Sequence, residues 1–98
     1  MNELYSVSEI ISKIAEPARR YGIHKAYLFG SYARGEVDSG SDIDICIEKG
    51  TIRTFFEFSS FCQDLEEVLG NNVDVVTTSG ISGDFMKQIE KEFVLIYG

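Results

Sequence analysis

Two aspartates one residue apart, Asp42 and Asp44, open a run in which polar and apolar residues alternate strictly. Ile43, Ile45 and Ile47 share one face of that run. Asp42, Asp44, Cys46 and Glu48 share the other, which is the period-2 pattern of a strand with one face on a core. On such a strand, carboxylates two residues apart point to the same side, with Cα atoms roughly 6.5–7 Å apart. They can converge on one or two hard cations, and magnesium favours a few carboxylates completed by water and substrate phosphates. Without a cation, two close carboxylates repel, and one of them keeps its proton to higher pH. Aspartate is also a poor strand former, so the pair breaks a local rule, as functional sites often do.

An isolated Asp-x-Asp would read as a solvated strand face. The segment upstream changes that reading. Ala26-Tyr27-Leu28-Phe29 is a short apolar run, expected as a buried strand, and it stops abruptly at Gly30-Ser31. Glycine permits close backbone approach, and Ser31 can cap a short helix starting there or offer its hydroxyl to a phosphate. Unpaired N–H groups at a helix start attract phosphate oxygens. Arg34 can reach a phosphate or pair with Glu36 or Asp38. The segment is not a Gly-x-x-x-x-Gly-Lys-Ser/Thr phosphate loop, because no lysine stands in the required place.

Ten residues separate Ser31 from Asp42. Gly30, Ser31, Asp42 and Asp44 together resemble the Gly-Ser-x10-Asp-x-Asp signature of the polymerase-β-like nucleotidyltransferase superfamily. The wider string Leu28-Phe29-Gly30-Ser31-Tyr32-Ala33-Arg34-Gly35-Glu36 is similar to the stand-alone minimal nucleotidyltransferase (MNT) branch, whose domains have about this length. The resemblance implies a palm-like fold and two Mg²⁺ ions held by Asp42, Asp44 and a third carboxylate on a later strand, which Asp74 matches by context. It implies that Gly30 and Ser31, with Arg34 beside them, grip the phosphates of a nucleoside triphosphate, with ATP as substrate. Family members act as antitoxins beside a HEPN-type toxin, and some transfer AMP to a tyrosine of it. Two other functions fit the same residues: a catalytically silent antitoxin that binds its partner, and an aminoglycoside-type small-molecule nucleotidyltransferase. Glu36, Glu48 and Asp84 are weaker acid candidates, and Lys25, Lys49 and Arg53 weaker phosphate partners.

The elements that must position these residues follow from periodicity. Ser6-Val7-Ser8-Glu9 fits a capping box, and Val7, Ile10, Ile11, Ile14 and Ala18 follow helical spacing. Pro17 is expected to kink that helix or start a new turn, and Gly22 to close it. Thr51 to Leu69 reads as a helix with Phe55, Phe58, Cys62, Leu65 and Leu69 as its apolar stripe, ended by Gly70. Asn71-Asn72 reads as a turn and Val73 to Thr77 as a third strand, with Asp74 opposite Val73 and Val75. A last helix is expected from Asp84 to about Glu92, with Phe85, Ile89 and Phe93 inward, before a short extended tail, Val94 to Tyr97. Three strands alternating with helices predict an α/β (α+β) fold, a small mixed sheet flanked by helices.

The chain has 98 residues, expected as one domain over 1–98. That leaves little room for a separate acceptor-binding domain, so a second chain, or an oligomer, is expected to complete the site. Hydrophobic residues make up 44% and charged residues 26%, an ordinary globular composition. No apolar run approaches the roughly 20 residues of a membrane span. Met1 to Tyr5 lacks the flank of a signal peptide, so the cytoplasm is the expected location. Cys46 and Cys62 match no metal-ligand spacing and read as reduced thiols. The net charge of −7 argues against a long nucleic acid as acceptor. It suits a protein acceptor, and a metal ion can supply the positive charge a nucleotide needs.

Overall fold

The computed structural model describes residues 5–38 and 40–98. Its elements in chain order are α1 (Val7–Arg20), β1 (Lys25–Phe29), α2 (Ser31–Arg34), β2 (Ile43–Glu48), α3 (Phe55–Leu69), β3 (Val73–Thr77), α4 (Gly83–Ile89) and β4 (Val94–Tyr97), with a 3-10 turn at Glu90–Glu92 before β4. The strands form one mixed sheet in the order β3-β2-β1-β4. β1 pairs antiparallel with both β2 and β4, and β2 pairs parallel with β3. The expected extended tail is therefore a fourth strand: Val-Leu-Ile-Tyr closes the sheet along β1, and Ile96 is buried.

α1 begins at a complete capping box, with Ser6 and Glu9 each accepting the other's backbone N–H. It runs through Pro17 to Arg20. Its end is a Schellman closure: the Gly22 N–H donates to the Arg19 carbonyl and the Ile23 N–H to the Ala18 carbonyl, with Gly22 at φ +66°. α1 and α3 cover one face of the sheet. Ile10, Ile14 and Ala18 meet Leu28, Ile43, Ile45 and Ile47 of the strands and Phe61, Leu65 and Leu69 of α3. The isoleucine face of β2 is thus fully inside, as the alternation requires.

α3 starts later than its periodicity suggests, because the Thr54 side chain caps it by accepting the Glu57 N–H. Phe55 then falls on the outer side and is 78% exposed, whereas Phe61 takes the core position at 1%. Phe61 packs edge-on against Tyr21 with ring centroids 5.5 Å apart. Phe61→Ala should lower unfolding stability by about 3–5 kcal/mol, and Phe55→Ala should change it by less than about 0.5 kcal/mol, both read by urea denaturation. α4 is likewise shorter than expected, and Phe85 is 40% exposed, while Ile89 is buried. The opposite sheet face carries a smaller cluster of Phe29, Cys46 and Ile89, with Val76, Ile81, Met86 and Phe93 around it.

Candidate active site

The parallel register of β2 and β3 sets Asp44 directly beside Asp74. Paired residues on neighbouring strands point to the same face, so both carboxylates lie on the face opposite the α1–α3 core. Asp42 stands one residue before β2. Asp44 is half-buried, and Asp42 and Asp74 are exposed. The strand starts are tied together by the Ile43 N–H, which donates to the Asn72 carbonyl at 3.0 Å. Asn71 pins that turn from inside: its amide donates to the Tyr32 hydroxyl at 3.3 Å, and its Oδ1 accepts the Asn72 N–H at 2.8 Å. Asn71 is the one buried polar residue among those described. Its bracing role was hidden in the sequence, where it reads as half of an ordinary turn. On the other side, Asp38 accepts the Gly40 N–H at 2.8 Å and its own N–H donates to Ser41 Oγ at 3.0 Å, which orders the approach to Asp42.

Gly30 forms the wall of this acid face. Phe29, the residue before it, is the register partner of Asp44. Gly30 adopts φ +75° and ψ −153°, a conformation that side-chain-bearing residues avoid. A Cβ at this position would overlap Asp44 Oδ2. The carboxylate thus occupies the space a side chain at residue 30 would need. Gly30, not Ser31, is the N-cap of α2, and no side chain caps that helix. The expected capping role of Ser31 is not met: its residue is the first of the helix, at the same corner as Gly30.

The three acids act on one another. The Asp44 carboxyl is pushed up to about 6, first by burial, then by the neighbouring charges of Asp74 and Asp42. Oxygen donors of like charge held on one face fit a hard divalent cation, whose binding would relieve that repulsion. Among the described residues, no group of three or more acid, histidine or cysteine side chains is already arranged to hold a metal ion.

Arg34 is not aimed at Asp38. Its Nε donates to Glu36 at 2.9 Å and its NH1 to Glu92 at 3.0 Å. Those two carboxylates, Glu92 foremost, raise its already high pKa. Glu92 is absent from the residues singled out by spacing, since it lies far along the chain from the motif. Of the weaker candidates, Glu36 pairs with Arg34, Glu48 ends β2, Asp84 sits in the first turn of α4, and Lys49 and Arg53 line a separate groove.

Residues 12–98 match the family model described as Polymerase beta, Nucleotidyltransferase. The chain belongs to this nucleotidyltransferase family. As a nucleotidyltransferase it is 41% identical over 76 residues to a candidate protein adenylyltransferase of Methanocaldococcus jannaschii, covering 78% of this chain and 82% of that one. It is 33% identical over 81 residues to the protein adenylyltransferase MntA of Thermococcus cleftensis, covering 83% and 82%. A crystal structure of a toxin–antitoxin with AMP-PNP contains a chain superposing with TM-score 0.77 at 27% identity, over 90% of this chain and 73% of that one.

The nucleotidyltransferase also carries a groove away from the acid face. A groove of about 390 Å³ lies at the far end of β2 and β3, lined by Lys49, Arg53, Phe55, Phe58, Thr77 and Ile81 among others. None of Gly30, Ser31, Asp42, Asp44 or Asp74 lines it. Both thiols are free and are pushed up to about 11, chiefly by burial, so neither is poised as a nucleophile. Among the described residues, no helix is long and apolar enough to cross a membrane.

Proposed function

We propose that this nucleotidyltransferase works as a single domain in the cytoplasm, moving AMP from ATP to a hydroxyl of a HEPN-type toxin and so acting as its antitoxin. The observation that carries the reading is the register match of Asp44 with Asp74 against the side-chain-free wall at Gly30. Asp42, Asp44 and Asp74 would hold two Mg²⁺ ions, which when bound neutralise the triphosphate and favour attack at its α-phosphorus. Gly30, Ser31 and Arg34 bind the β- and γ-phosphates and hold the chain in line for displacement. The Asp74 carboxylate takes the proton of the acceptor hydroxyl. The acceptor oxygen bonds to the α-phosphorus, the bond to the bridging oxygen breaks, and pyrophosphate leaves.

The acceptor reading rests on the adenylyltransferase relatives, on the toxin–antitoxin assembly that holds a similar chain, and on charge. A chain of net charge −7 is a poor match for a tRNA or DNA end and a good one for a basic protein. Phe55 and Phe56, 78% and 82% exposed, give it an aromatic contact for such a partner. The test is incubation of the chain and its co-purifying partner with α-labelled ATP and Mg²⁺. Label on a partner tyrosine is the expected result. Tight inhibition of the partner without label would instead make this chain a silent binding module.

A further inference from the structure

Glu92 ends the turn before β4, and its carboxylate bridges two groups of the glycine–serine corner. Oε1 accepts the Gly30 N–H at 2.9 Å, and Oε2 accepts from Arg34 NH1 at 3.0 Å. Two donors converge here on two oxygens of one anion, which is how a phosphate group is also bound. We propose that Glu92 is an internal competitor for the triphosphate, occupying the donors that the β- and γ-phosphates must take and so setting nucleotide affinity and selectivity. This inference rests on the nucleotide-binding reading above.

The charges at the corner leave little alternative to displacement. Gly30 already has the Asp44 carboxylate against its other side. A polyphosphate brought to the same N–H would meet Glu92 at van der Waals distance unless that side chain swung away. It can swing without breaking the sheet. Glu92 precedes β4, and the neighbouring Phe93 is held independently, stacked on Tyr27 at 4.7 Å between ring centroids. The Glu92 side chain is a quarter exposed and faces an Arg34 side chain that is 46% exposed, so a route to water exists for both. Arg34 and the Gly30 N–H also hold the Glu92 carboxyl below its usual range, so the competitor stays charged at neutral pH.

The competition discriminates by phosphate number. ATP and pyrophosphate bring β- and γ-type groups that can replace both bonds of Glu92. AMP carries only the phosphate that belongs over the acids. Return of Glu92 to its donors also favours release of pyrophosphate after transfer.

Isothermal titration of Mg-ATP, Mg-pyrophosphate and AMP into the wild-type chain, Glu92→Gln and Glu92→Ala tests this. Both variants should bind Mg-ATP and Mg-pyrophosphate about tenfold more tightly, the scale of one charge-assisted bond regained. AMP binding should stay within about twofold, since the gain is confined to the competing phosphates. Equal or weaker Mg-ATP binding by the variants, with wild-type binding intact, would overturn the proposal, as would an equal gain for AMP, which marks a general loosening. If no protein, the wild type included, binds Mg-ATP, the nucleotide reading itself fails and this inference falls with it. A thermal melt of each variant confirms that a folded chain is being titrated.

Discussion

Asp44→Asn should lower nucleotide transfer by on the order of 10³-fold or more, and should yield a chain that without metal melts at a higher temperature than the wild type above pH 6. The two effects share one cause. Asp44 is half-buried beside Asp74 and Asp42, and its carboxyl titrates near 6. The unfolded chain releases the same proton near pH 3.9. The folded protein therefore holds the proton more tightly, so this group favours folding below about pH 4. The benefit disappears as pH rises through about 6, and above that the ionised Asp44 carboxylate opposes folding. Wild-type stability without metal should fall across that window, and the asparagine variant should lack the fall. Mg²⁺ at pH 7.5 should raise the wild-type melting temperature and leave that of Asp44→Asn nearly unchanged. Labelled transfer assays and metal-free melts at pH 4, 5, 6 and 7.5 check both halves.

Gly30→Ala should cost both folding and activity. The residue sits at φ +75° and ψ −153°, and its new methyl would overlap the Asp44 carboxylate. The chain must either strain locally, at about 1–3 kcal/mol, or push Asp44 off the acid face. A displacement of about 1 Å at a reacting centre costs on the order of 10²-fold in rate. Gly35→Ala supplies the contrast. Gly35 is also left-handed, at φ +73°, but a Cβ there meets nothing within 4 Å. That variant should lose roughly 1–2 kcal/mol of stability and keep its transfer rate. Urea melts paired with the labelled assay separate the two glycines.

The acid-bearing strand face and the glycine corner were more legible in the sequence than the packing around them. Strict alternation from Asp42 to Glu48 fixes which face is buried without any knowledge of neighbours, and Ile43, Ile45 and Ile47 are all inside. The abrupt end of an apolar run at Gly30 likewise marks a corner, because only glycine takes that backbone angle cheaply. The failures have a common origin in choices that only tertiary contacts make. Phe55, Phe56, Phe58 and Phe61 offer several helical stripes, and the Thr54 cap rather than the spacing selects the one that buries Phe61. Val94 to Tyr97 is too short to declare itself a strand until β1 pairs with it. Glu92 is invisible for the same reason: its partners Gly30 and Arg34 lie 62 and 58 residues away along the chain. Spacing names the acids, but it does not say which distant carboxylate closes the corner opposite them.

Asp42, Asp44 and Asp74, with the Gly30 corner, are proposed as the seat of a metal-chelated triphosphate. A crystal of the chain grown with Mn²⁺ and a non-hydrolysable ATP analogue, measured at the manganese absorption edge, tests it most directly. The expected map has anomalous density between Asp42, Asp44 and Asp74, with the terminal phosphates against Gly30, Ser31 and Arg34. Manganese away from those three carboxylates, or the nucleotide seated in the Lys49–Ile81 groove, would contradict it.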